Sequence, residues 1–312
     1  MVLLSGDMDV LRLLGNSALM MTLSLITALA LGGFPSELVL TNSNIAMIAL
    51  VIMMSLSLTN LRLRGLRVRD HAASIGRAFL LSMVLASGAT VLVSFFFQGD
   101  LRAGWVIAAA VPSAISVVPF TYLMKGDLEP TLVSTAALYV IALVFIPLLT
   151  LLFLGQAIEL TLLIFYVGLL ILLPICLSRP LRKLNIRQDH KAAGINVAFF
   201  VMIIAVAGPN RQIFFHDFAL LGGLLAAAVL KIFGIGLAWD WYLKRKKVPR
   251  ERRVPEVLFS SHKNTGMAAT LAITLIGPEA AVPATICAVV DIAWLIFLSH
   301  LVFKDDGASG SE

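Results

Sequence analysis

The chain alternates between apolar blocks, near the ~20 residues a helix needs to cross a bilayer, and short polar connectors. Ten blocks can be counted, at about 11–31, 45–58, 75–97, 105–124, 132–154, 160–177, 192–207, 218–243, 257–276 and 280–303. Two are interrupted. The fourth carries Pro112 and Pro119, and each proline removes a helix donor and crowds the turn before it. The ninth carries Ser260-Ser261-His262-Lys263-Asn264-Thr265-Gly266, a run of polar side chains and a glycine where lipid-facing helix is expected. The pattern predicts an all-α polytopic membrane protein of ten helices, with breaks at Pro112, Pro119 and Gly266.

Composition and charge sharpen this reading. Apolar residues make up 59% of the chain and charged ones 13%, against about a quarter charged in a soluble domain. The first apolar run lacks a basic leader and a small-residue cleavage site, so no cleaved signal peptide is expected. The net charge of +6 does not point to nucleic acid, because the basic residues sit in the connectors. Arg62, Arg64, Arg67 and Arg69 follow the second block, Lys125 the fourth, Arg179 to Lys191 the sixth, and Lys244 to Arg253 the eighth. Connectors after odd-numbered blocks hold only Arg102 and Arg211. Such alternation is the positive-inside pattern; it places both termini in the cytoplasm and the chain in the cell (inner) membrane. Ten blocks divide into residues 1–154 and 155–306, with 307–312 read as a disordered tail. Halves with an odd count of spans have opposite topology, and the fourth member of each half is the interrupted one. Such matched interruptions point to a transporter's binding site.

The polar run in the ninth block carries the chemistry. A cation at the centre of a membrane helix costs about 2.5–3.5 kcal/mol on insertion scales. At 1.5 Å per residue, Lys263 lies about 12 Å deep and Asp291 of the tenth block at a similar depth. Pairing is the least costly way to keep both charges there. A static ion pair and a substrate site are both consistent with that placement, as a plain kink is with the two prolines. Ser113, Ser116, Ser260, Ser261, Asn264 and Thr265 are candidate substrate contacts, and His262 can titrate. Lys231 is expected to snorkel from near a membrane face. Cys176 and Cys287 read as small core residues, Met47, Met53 and Met54 as packing, and Gly222, Gly223, Gly234 and Gly236 as points of close helix contact. No catalytic pair, nucleotide loop or metal-ligand spacing is present, so neither an enzyme nor a resident cofactor is expected.

The chain resembles the bile acid:sodium symporter family in its bacterial and archaeal branch. The resemblance rests on Pro112 leading to Thr121-Tyr122-Leu123 and Lys125-Gly126-Asp127, on Ser134-Thr135, and on Asn264-Thr265-Gly266-Met267-Ala268-Ala269. It implies two inverted five-helix repeats, a core of helices three to five and eight to ten, and a panel of helices one, two, six and seven. Helices four and nine would be unwound and cross, with an organic anion bound nearby, usually with sodium. The sequence departs from the family where sodium would bind. Val117-Val118 replace a Ser-Asn pair, Phe259 an acidic ligand and Lys263 a glutamine; Thr135 and Thr131 keep an oxygen. The expectation is therefore a carrier of small organic anions working by alternating access, with Lys263 standing in for a bound cation. Sodium-coupled symport of a bile-acid-like molecule and a non-transporting membrane sensor are the alternatives. Substrate identity and oligomeric state are not encoded legibly.

Overall fold

The computed structural model describes residues 11, 13–35, 37–59, 68–155 and 158–304. The predicted tail, and Arg62, Arg64 and Arg67 of the first basic connector, lie outside the described residues. Helices account for nearly all of the rest: α1 (Ser17–Leu31), α2 (Asn42–Leu58), α3 (Ala72–Phe79), α4 (Ser87–Ser94), α5 (Gly99–Ala110), α6 (Val117–Leu123), α7 (Leu128–Leu154), α8 (Leu160–Lys183), α9 (Gln188–Ala207), α10 (Arg211–His216), α11 (Phe218–Val229), α12 (Ile235–Arg245), α13 (Arg250–Ser261), α14 (Thr265–Leu275) and α15 (Pro278–Phe297). A π-helix, Leu80–Ala86, joins α3 to α4, and another, Leu230–Gly234, joins α11 to α12.

Six continuous helices are long and apolar enough to cross a membrane: Arg69–Ser94, Leu128–Leu154, Leu160–Lys183, Gln188–His216, Phe218–Arg245 and Pro278–Val302. Leu19–Leu31, Asn42–Leu58 and Thr265–Leu275 are shorter apolar helices. The chain is thus a multi-pass membrane protein. On α7, Val140, Val144, Leu148 and Leu152 are 62%, 70%, 61% and 73% exposed. Residues four apart share one helix face, so this stripe is a surface suited to lipid and costly in water.

Helix ends are closed locally. Asn16 Oδ1 accepts from Leu19 N at 3.1 Å and Asp217 Oδ1 from Leu220 N at 2.9 Å, satisfying N–H groups that no helix turn reaches. α9 packs on α1 and α2, and α2 on α8; α5 packs on α4, α7, α14 and α15; α11 packs on α15 and α12 on α13. Several approaches need glycine. A Cβ on Gly104 would strike the Ala280 carbonyl, and one on Gly236 the Trp294 ring. Gly222 and Gly223, expected at close contacts, have nothing within 4 Å of where a Cβ would stand, and Gly234 meets only Leu230 of its own helix. They supply no helix–helix approach. Cys287 is buried as expected, but Cys176 is exposed.

The two interrupted blocks break, though not everywhere expected. The first break is residues 111–116, between α5 and α6. Pro112 lies in it, whereas Pro119 is the third residue of α6. First-turn N–H groups have no intrahelical acceptor, so proline costs little there. The second break is residues 262–264, between α13 and α14. Gly266 is the second residue of α14, packed near Met202 and Leu50, and does not interrupt the helix.

Candidate functional site

Unwinding a helix inside a membrane strands backbone donors and acceptors, and each must find a partner within the protein. Here the two breaks satisfy each other. Ser113 and Lys263 form an isolated antiparallel β-bridge. Asn264 N donates to Pro112 O at 2.8 Å, and Ala114 N to His262 O at 3.4 Å. Val111 and His262 are extended, which lets the segments lie side by side.

Lys263 is 1% exposed. Its Nζ donates to Ser82 O at 3.0 Å and to Ser87 Oγ at 2.8 Å. Ser87 Oγ in turn donates to Ala109 O at 2.6 Å and lies 3.1 Å from Ser82 O. Ser82 lies in the first π-helix and Ser87 directly follows it. Residues five apart sit off one another's face in an α-helix and come together only in an i→i+5 register. The lysine is therefore received by an irregularity in a neighbouring span.

The expected Lys263–Asp291 pair is not formed. Asp291 faces His262 instead, with Oδ1 3.2 Å from Nδ1. That approach lacks hydrogen-bond direction: His262 Nδ1 and both Asp291 oxygens are buried without a hydrogen-bond partner among the described residues. Depth arithmetic had put Asp291 level with Lys263 but could not set which way either side chain turns. His262 Nε2 also lies 2.9 Å from Ser116 Oγ. Lys231 is a second correction. It lies midway along the 28-residue span Phe218–Arg245 and is 2% exposed. From there it cannot reach a membrane face.

The other predicted side chains divide. Ser113 Oγ donates to Ser82 Oγ at 2.7 Å, which ties the first break to the same π-helix. Asn264 caps α14, its Oδ1 accepting from Met267 N at 3.0 Å, while its Nδ2 donates to Tyr139 Oη at 2.7 Å. Ser260 and Ser261 donate back to Val257 O at 2.8 and 2.7 Å, and Ser261 Oγ also accepts from Trp294 Nε1 at 2.9 Å. Thr265 is buried in the first turn of α14. Thr131 and Thr135 lie in the first two turns of α7, each donating to a carbonyl of its own chain segment, Asp127 O at 2.6 Å and Thr131 O at 2.8 Å. Thr121 Oγ1 is buried with no hydrogen-bond partner among the described residues. The structure thus gathers Ser113, Ser116, His262, Lys263, Asn264 and Asp291 at one crossing.

Ser82, Ser87, Tyr139 and Trp294 belong to the crossing and were not singled out from the sequence. The two serines had one available signal: hydroxyls within an apolar span, five apart. Among the described residues, no three His, Cys, Asp or Glu side chains gather as the ligands of a metal ion would.

The SBF-like CPA transporter family matches residues 18–300, nearly the whole chain, and the chain belongs to it. No curated protein matches.

Proposed function

We propose that this member of a transporter family carries a small organic anion across the cell membrane by alternating access, with Lys263 supplying the positive charge that a bound cation would otherwise provide. The observation that carries the reading is the crossing itself: two broken spans bridged at Ser113 and Lys263, with a buried ammonium received by two neutral oxygens. Among the described residues no carboxylate lies within ion-pair distance of that amine. A cation held this way keeps its field for a ligand, and the low-dielectric surroundings strengthen that field.

We read the ten segments as two inverted five-helix repeats, divided at 154/155, with both termini cytoplasmic. Three features support the reading. Both breaks fall in the fourth segment of a half. Among the described residues, two of the three π-helices fall in the third, one receiving Lys263 and the other presenting Lys231, while the remaining one, Leu298–Val302, ends the tenth segment. The packing of α1, α2, α8 and α9 among themselves matches a panel, and that of the remaining helices a core.

The residues at the family's sodium positions do not fit sodium. Val117, Val118 and Phe259 have no side-chain oxygen, and the amine of Lys263 occupies a hydrogen-bonded position of its own. Sodium is a hard cation that needs several oxygens, and a fixed ammonium repels it. Transport on this reading is proton-coupled or uncoupled. The test is uptake into proteoliposomes of taurocholate and a panel of small mono- and dicarboxylates, with sodium or choline as the only external cation. Uptake that is equal in both salts and lost in Lys263→Ala is expected. A saturable sodium requirement would favour conventional symport instead, and no uptake of any probe would favour a sensor.

A further inference from the structure

A second feature lies away from the crossing, where the span Arg69–Ser94 begins and the span Phe218–Arg245 ends. The two run antiparallel, so these ends share one face of the membrane. A cavity of ≈ 280 Å³ opens there between the first π-helix, α12 and α13. Its floor is apolar, including Leu80 and Leu81. Leu80 is 58% exposed, so the floor continues onto lipid-facing surface. Trp239 and Tyr242 line one side, with ring centroids 5.1 Å apart. Such rings sit at the headgroup level of a bilayer.

The rim is cationic and incompletely neutralised. Arg77, Lys246 and Arg252 line it beside one carboxylate, Glu256, which pairs with the two arginines. Both arginines use the same oxygen, Glu256 Oε1, at 3.0 and 2.7 Å, and both reach it through Nε. A guanidinium has five N–H donors, so the terminal groups of Arg252 are left without a partner among the described residues. The Lys246 amine sits 5.9 Å over the Tyr242 ring. The Trp239 indole N–H is buried and likewise has no acceptor among the described residues.

We propose that this cavity binds the headgroup of an anionic phospholipid. The phosphate lies against Arg252 and Lys246, the glycerol backbone stands beside the Trp239 and Tyr242 rings, and the first acyl methylenes lie on Leu80 and Leu81. Free phosphate would share the cationic rim but gain nothing from the apolar floor or its opening to lipid. Basic pockets between spans are a recurring form of headgroup recognition. The inference rests only on the chain's being a membrane protein, not on its transporting anions.

The test uses the full chain, purified in detergent and stripped of lipid. It is titrated with phosphatidylglycerol, phosphatidylcholine and glycerol 3-phosphate, with retained mass and melting temperature as readouts. Phosphatidylglycerol is expected to remain bound and to raise the melting temperature, and the other two are not. Lys246→Ala and Arg252→Ala should each weaken phosphatidylglycerol binding about five-fold. The Lys246 amine lies over the exposed Tyr242 ring and forms no ion pair among the described residues, so that variant keeps the test meaningful should Arg252→Ala disturb the Glu256 contacts. Equal effects of phosphatidylcholine, equal effects of glycerol 3-phosphate, or unchanged binding in Lys246→Ala would each overturn the proposal.

Discussion

Replacing Lys263 with methionine separates what the charge does for the fold from what it does for transport. A buried ion still costs several kcal/mol after its surroundings relax. Hydrogen bonds from a charged donor return about 1.5–3 kcal/mol each. The contacts to Ser82 O and Ser87 Oγ therefore offset roughly 3–6 kcal/mol, about what burial takes. Methionine fills most of the same space without either term. It also strands little, because Ser87 Oγ keeps its bond to Ala109 O at 2.6 Å, and the one acceptor left without its charged donor is Ser82 O. Lys263→Met should accordingly melt within about 1–2 kcal/mol of the wild type. Lys263→Ala leaves a cavity and should fall about 2–5 kcal/mol below it. Uptake should be lost in both. The assay is paired: thermal melting of purified protein, and proteoliposome uptake of whichever probe anion the wild type carries fastest. Uptake in Lys263→Met at half the wild-type rate or more would refute the role given to the charge. So would a melting loss in Lys263→Met as large as in Lys263→Ala, which would make the amine a structural strut.

Two further outcomes follow from packing. Gly236→Leu drives a side chain into the Trp294 ring and should destabilise by about 1–3 kcal/mol, whereas Gly222→Leu, which meets nothing, should melt like the wild type; melting of the two variants side by side checks this. Asn264→Ala removes both the cap of α14 and the partner of the Tyr139 hydroxyl, for about 1–3 kcal/mol. Tyr139→Phe should cost about 1–2 kcal/mol, and the double variant less than the sum, because both single changes break one shared bond.

The sequence showed an all-helical multi-pass chain and which two apolar blocks are broken, because apolar length and misplaced polar residues are one-dimensional signals. It could not distinguish Pro112, inside a break, from Pro119, in a first turn that tolerates proline. Nor could it set azimuth. Lys263 and Asp291 have similar depths, yet one turns to Ser82 and Ser87 and the other to His262. Lys231 was misplaced for a related reason: a long basic side chain in an apolar block reads as a snorkel, and the sequence does not show that neighbouring helices bury it to 2% exposure. Ser82 and Ser87 stayed hidden because their shared face exists only in π register, which periodicity at 3.6 residues per turn excludes.

The exchange of backbone hydrogen bonds between residues 112–114 and 262–264 constrains how this protein can move. Parting the two segments would break both bonds, at about 4–6 kcal/mol per bond lost in an apolar medium. Ordinary thermal excursions do not supply that for two bonds at once. The crossing is thus a fixed joint between the two broken spans, and any movement of the helices around it has to carry both segments together.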